Sequence, residues 1–131
     1  MKKNVLRSIL WANILWALII FILCAIPGED IPDPHLNIPH LDKVVHFGMF
    51  FIMSLLLNCI LEHKFKIKLL SIYTISVLVS LIYGGSIEIL QHYFFNRGGD
   101  VWDLLADIIG GIAGCFCYPP AKRLLLKKCK I

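Results

Sequence analysis

Residues 8–26 read SILWANILWALIIFILCAI, an apolar run that contains no acidic or basic side chain. At a rise of about 1.5 Å per residue, an α-helix of this length crosses a hydrocarbon core about 30 Å thick. Lipid offers the backbone no hydrogen-bond partners, which favours a helix, whose peptide groups bond to one another, over an open strand. The run therefore predicts a membrane-spanning helix.

Three more apolar runs follow, at about 41–61, 69–91 and 101–118. Proline-rich and glycine-rich connections separate the first run from the second and the third from the fourth. We expect the fourth helix to end at Pro119–Pro120, because proline breaks the helical hydrogen bonding, and a basic tail (122–130) to rest on the membrane surface. The prediction is an all-α, four-helix transmembrane bundle in a single domain, residues 1–131.

Composition supports a membrane protein and excludes several other classes. Of the 131 residues, 58% are hydrophobic and 17% are charged, whereas a soluble domain has about half and about a quarter. The net charge of +4 comes from short basic segments between apolar runs and not from a basic helix with interleaved aromatics, so we predict no nucleic-acid partner. The five cysteines form no CxxC framework, which argues against a zinc or disulfide scaffold.

The distribution of positive charge predicts the topology. All but two of the 13 Lys and Arg residues lie before the first helix, in the connection 62–68 or in the tail. Lys43 and Arg97 are the exceptions, and they lie with every acidic residue except Glu62 at the opposite ends of the helices. Because short cytoplasmic segments are enriched in Lys and Arg, we expect both termini in the cytoplasm.

Polar side chains from three helices are predicted to meet at the outer end of the bundle. Within each helix they are three or four residues apart, which places them on one face. An ionised carboxylate in the bilayer costs about 2.5–3.5 kcal/mol on insertion scales, so such groups usually face protein or water. We predict a ligand-binding cluster of Asp42, Lys43, His46, Glu88, Gln91, Arg97, Asp100, Asp103 and Asp107.

The fourth helix also carries a series of small residues, Ala106, Gly110 and Gly114. Small residues at intervals of four let another helix approach closely. We therefore expect this helix to pack centrally, with its carboxylates turned toward its neighbours.

Several chemistries fit the cluster. Arg97 beside glycines suits a phosphate, because guanidinium and backbone N–H groups both bind anions. His46 with Glu88, Asp103 or Asp107 would suit a hard or borderline cation, but no HExxH pair or Cys/His set is present, and we predict no metal and no cofactor. No catalytic residue is assigned, although His46 or Glu88 could serve as an acid or base.

The motifs resemble those of VanZ-like membrane proteins. Residues 42–47 (DKVVHF) are similar to the opening motif of that family, and residues 88–91 (EILQ) are similar to its Glu-x-x-Gln. The segment 97–110 resembles the stretch with the family's Arg and Asp positions. Asp107 stands where the family usually has Asn, which adds a charge or a proton to the site.

The resemblance implies a protein of the bacterial envelope, in a family whose founding member is associated with resistance to the glycopeptide teicoplanin. The first hypothesis is a pocket for a membrane lipid headgroup or a lipid-linked cell-wall precursor. The second is an enzyme acting on a phosphorylated or lipid-linked substrate, with or without the assistance of a metal. The third is a structural protein whose ion pairs only tie the helices together.

Overall fold

Four α-helices account for almost all of the described chain. The computed structural model describes residues 1, 3–27, 40–95 and 98–129, with side chains as far as residue 124. The helices are α1 (Lys3–Ala25), α2 (Leu41–Phe65), α3 (Leu69–Phe94) and α4 (Val101–Cys129). Each is long and apolar enough to cross a membrane, and no strand occurs within those residues. The predicted all-α, four-helix fold is confirmed.

The predicted end of the fourth helix is wrong, because α4 continues through Pro119–Pro120. Prolines are tolerated in membrane helices where neighbouring groups support the backbone. Here the residues on either side of the pair are fixed to α2: the Tyr118 hydroxyl donates a hydrogen bond to Glu62, and Lys122 Nζ lies 2.7 Å from Glu62 Oε1. We call Glu62, Tyr118 and Lys122 the Glu62 cluster. The predicted tail is helical as far as Cys129.

The small residues of α4 bring it close to α2, as predicted. A Cβ at Gly110 would overlap the carbonyl oxygen of Phe47, and one at Gly114 would lie 2.7 Å from that of Phe51. Ala106 is half-buried on the same side. Within the described ranges α4 makes the most extensive contact in the fold with α2 and a further one with α3, but it does not contact α1.

Hydrogen bonds to backbone carbonyls attach α1 to its neighbours. The donors are the Trp16 indole of α1 and the Tyr83 and Gln91 side chains of α3. The acceptors are the carbonyl oxygens of Met49 (2.9 Å), Ala17 (2.6 Å) and Cys24 (3.0 Å), respectively. A buried polar group costs free energy unless it finds such a partner, so these bonds fix where α1 lies against α2 and α3.

Candidate functional site

The first turn of α2 meets the start of α4 through one lysine. Lys43 Nζ lies 2.9 Å from Asp42 Oδ2, 2.9 Å from Asp100 Oδ2 and 3.0 Å from Asp103 Oδ1. These four residues are called the Lys43 cluster. The Lys43 side chain is 24% exposed, so the cluster forms a rim at the end of the bundle. The Lys43 ammonium donates one hydrogen bond to each of the three carboxylates. Its bond to Asp103, 60 residues later in the sequence, joins the start of α2 to the start of α4.

Asp100 connects this rim to the start of α4. Its Oδ1 accepts a hydrogen bond from the Trp102 N–H at 2.9 Å, and its carbonyl accepts one from the Asp103 N–H at 3.0 Å. Both bonds satisfy donors that a helix leaves free at its N-terminus. The hydrogen bond from the Lys43 ammonium lowers the pKa of the Asp100 carboxyl below its ordinary value. Asp100 is therefore both a helix cap and an ion-pair partner.

A second group of ionisable side chains lies one helical turn further into the bundle. The Nδ1 of His46 is 3.0 Å from Asp107 Oδ1, and Glu88 Oε2 accepts the Asp100 N–H at 2.9 Å. Nearest ligand atoms of His46, Glu88 and Asp107 all lie within 4.8 Å of one another. Their relative exposures are only 4%, 8% and 0%. We call these three residues the His46 cluster.

Two carboxylate oxygens of the His46 cluster are buried without a hydrogen-bond partner in the described structure. They are Glu88 Oε1 and Asp107 Oδ2. Asp107 lies against Gly84 of α3, where a Cβ would be 2.5 Å from Oδ2, so the glycine makes room for the carboxylate. An unsatisfied buried polar group costs about 1–3 kcal/mol, more when charged. The cluster is therefore not a closed set of ion pairs.

The structure brings together all but two of the predicted cluster residues. Gln91 is buried, but its amide donates to the carbonyl of Cys24 and so helps to place α1. Arg97 lies outside the described residues. Asp100 links the Lys43 and His46 clusters, because its side chain accepts a hydrogen bond from Lys43 while its backbone N–H donates one to Glu88.

Sequence reasoning missed a row of buried polar residues that continues from the His46 cluster toward the middle of the helices. Ser76 Oγ donates to Asn58 Oδ1 at 2.6 Å, and Ser54 Oγ donates to the carbonyl of Gly111 at 2.8 Å. The sequence does contain a signal for this row, because on each of the three helices the residues that line it recur at every fourth position. The series are His46, Phe50, Ser54 and Asn58 on α2, Ser76, Ser80, Gly84 and Glu88 on α3, and Asp103, Asp107, Gly111 and Cys115 on α4.

Four apolar helices, with most of their charged side chains near the helix ends, define a multi-pass membrane protein. The model of the VanZ/LLP1 family matches residues 4–126, nearly the whole chain, and the protein belongs to that family. The predicted resemblance is thereby confirmed. No curated protein and no solved structure matches the chain. Its function has to be argued from the geometry of the site.

Proposed function

We propose that this VanZ/LLP1 family member is a multi-pass protein of the bacterial cytoplasmic membrane that binds a lipid headgroup or a lipid-linked cell-wall intermediate at its outer polar end. The enrichment of Lys and Arg in residues 2–7, 64–68 and 122–130 supports cytoplasmic termini. The Lys43 and His46 clusters then face the outer leaflet, where cell-wall intermediates are used.

The observation that carries the proposal is the position of the Lys43 cluster beside exposed aromatic residues. Tyr93 and Phe94 in the last turn of α3 and Trp102 in the first turn of α4 are all exposed. Tyrosine and tryptophan concentrate where hydrocarbon meets the headgroups. The Trp102 N–H bonds Asp100 directly, which favours a cluster at headgroup depth.

The charge balance indicates which part of a ligand each residue would bind. Lys43 is already bound to three carboxylates, so we assign phosphate binding mainly to Arg97. Asp103, Glu88 and Asp107 offer acceptors for the hydroxyl or amine groups of a sugar or peptide headgroup. A lipid-linked cell-wall intermediate carries both kinds of group, which agrees with the resemblance to proteins associated with teicoplanin resistance.

Native mass spectrometry of detergent-purified protein tests the proposal with two probes, phosphatidylglycerol and a polyprenyl phosphate. We expect one bound lipid per chain for at least one probe, and at least tenfold weaker binding in Arg97→Ala. Arg123→Ala is the matched control, because Arg123 is an exposed arginine at the other end of α4. Equal binding by Arg97→Ala and wild type, or equal losses in the two arginine variants, would refute a site at the outer end.

A second candidate function is catalysis on a phosphorylated or lipid-linked substrate. The observation in its favour is the 3.0 Å contact between His46 and Asp107, since a carboxylate that orients an imidazole is a common acid–base arrangement. Release of phosphate from a polyprenyl phosphate or diphosphate by wild type, abolished in His46→Gln with lipid binding retained, would support it. If the protein binds the lipid but does not release phosphate from it, the catalytic function is refuted and only the binding function is supported.

A further inference from the structure

The His46 cluster brings two buried carboxyl groups, Glu88 and Asp107, together with one imidazole, His46. No lysine or arginine of the described residues offsets a negative charge there. Glu88 Oε1 and Asp107 Oδ2 are both buried and unpartnered. A water molecule would donate hydrogen bonds to the two oxygens but would leave the charge in place. A cation between them would supply both the missing partner and the missing charge.

The neighbouring Lys43 cluster shows how this end of the bundle treats carboxylates that do have a cation. Asp42, Asp100 and Asp103 also lie close enough together to hold an ion, but the Lys43 ammonium already lies within 3.0 Å of an oxygen from each. Within the described ranges no lysine or arginine makes the equivalent contact in the His46 cluster. The Lys43 cluster contains its own cation, whereas the His46 cluster does not.

The positions of the side chains suit one metal ion. Nearest ligand atoms of the three residues lie within 4.8 Å of one another. Two atoms that each lie about 2.1 Å from a shared ion are at most about 4.2 Å apart. Small movements of the side chains would therefore bring all three residues within bonding distance of one ion. Two carboxylates and one imidazole form a hard-to-borderline donor set, which suits Mn²⁺ better than a thiolate-preferring ion.

We propose that His46, Glu88 and Asp107 form a binding site for one divalent cation of the Mn²⁺ class, with Glu88 Oε1 and Asp107 Oδ2 as two of its ligands. This replaces the sequence-based prediction of no metal. Asp107 supplies a carboxylate ligand from α4. The site does not depend on lipid binding and is tested without any lipid probe.

The test is a titration of Mn²⁺ into detergent-purified, chelator-stripped protein, followed by electron paramagnetic resonance of the free and bound ion. Mn²⁺ avoids confusion with the cysteines, which prefer softer metals. We expect one bound ion per chain, and at least tenfold weaker binding in both Glu88→Gln and Asp107→Asn. Glu62→Gln is the matched control, since it removes the same charge from α2 at the opposite end of the bundle, and it should bind Mn²⁺ as wild type does.

A second measurement on the wild-type protein does not depend on how the variants fold. With histidine ring nitrogens labelled with ¹⁵N, substoichiometric Mn²⁺ should broaden the His46 signals before those of His63 at the far end of α2. The proposal is overturned if wild type binds no Mn²⁺ at millimolar concentration. Binding that survives both carboxylate substitutions, or broadening that begins at His63, would overturn it as well.

Discussion

The Lys43 cluster and the His46 cluster are one helical turn apart and contain similar residue types, yet their polar atoms are satisfied to different degrees. In the Lys43 cluster one ammonium lies within 3.0 Å of three carboxylates at a partly exposed rim. In the His46 cluster two deeply buried carboxylate oxygens have no hydrogen-bond donor among the residues that the structure describes. Local rules of good packing are most often broken where a protein binds something. The difference therefore separates a cluster whose carboxylates share an internal cation from one whose carboxylates have room for an external partner.

The Glu62 cluster at the opposite end supports this interpretation. Both Glu62 oxygens have partners, Tyr118 on one and Lys122 on the other. This cluster joins α2 to α4, as the Lys43 cluster does, and it keeps α4 helical beyond Pro119–Pro120. A carboxylate in this fold can thus be fully paired, so the missing partners at Glu88 and Asp107 are a property of the His46 cluster.

The largest effect is expected from Gly110→Ala, which should disrupt both clusters by separating α2 from α4. The added methyl would overlap the carbonyl of Phe47, and overpacking of this kind typically costs about 1–3 kcal/mol. The thermal melting temperature in detergent should fall. Gly48→Ala is the control, because a Cβ there meets nothing within 4 Å and alanine favours a helix by about 1 kcal/mol. Equal melting temperatures for the two variants would contradict the close approach at Gly110.

A smaller loss of stability is expected from Lys43→Met, which leaves Asp42, Asp100 and Asp103 to repel one another without their shared cation. The melting temperature should fall, and Lys43→Arg should restore most of it because the charge returns. Lys3→Met removes the charge of an exposed lysine near the start of α1 and should change little. If Lys3→Met and Lys43→Met are indistinguishable, the Lys43 cluster does not hold the helices together.

The smallest effect is a pH dependence at Asp100. Because the Lys43 ammonium lowers the pKa of Asp100 in the folded protein, this contact stabilises the fold above the ordinary aspartate pKa of about 3.9 and the stabilisation is lost as the pH falls through the lowered value. Asp100→Asn keeps a side chain that can cap α4 but removes the ion pair.

The melting temperatures of wild type and Asp100→Asn should therefore differ near neutral pH and converge only as the pH falls below about 4 and through the lowered pKa of Asp100. The comparison cancels the titration of the other carboxylates, which are common to both proteins. A difference that stays constant as the pH falls would show that the ionised Asp100 carboxylate does not stabilise the fold through Lys43.

The fold and most members of the two clusters could be predicted because both depend on local patterns. Apolar run length gives the number of helices, and a spacing of four residues gives the faces that bear Asp103 and Asp107. The pairing could not be predicted. Whether Lys43 binds Asp103 or Asp107 depends on the depth and rotation of α4 against α2, which Gly110 and Gly114 set through contacts with backbone carbonyls.

The differences between prediction and structure have the same origin, contacts between residues distant in sequence. Proline normally ends a helix, but Glu62 binds α4 on both sides of Pro119–Pro120 from a position more than fifty residues earlier. The small residues of α4 indicated that another helix packs closely against it, but they did not indicate which helix. Gln91 was predicted to face the site from its spacing to Glu88, yet it binds α1 at Cys24.

The most direct test of the account is the melting temperature of Asp107→Asn in the presence of a chelator, measured beside Glu62→Gln. The Asn carbonyl keeps an acceptor for His46, while the substitution removes a buried carboxylate whose second oxygen has no partner among the described residues. We predict that Asp107→Asn is more stable than wild type by about 1–3 kcal/mol, whereas Glu62→Gln is less stable. A loss of stability in Asp107→Asn as large as that in Glu62→Gln would show that the His46 cluster is an ordinary structural ion pair.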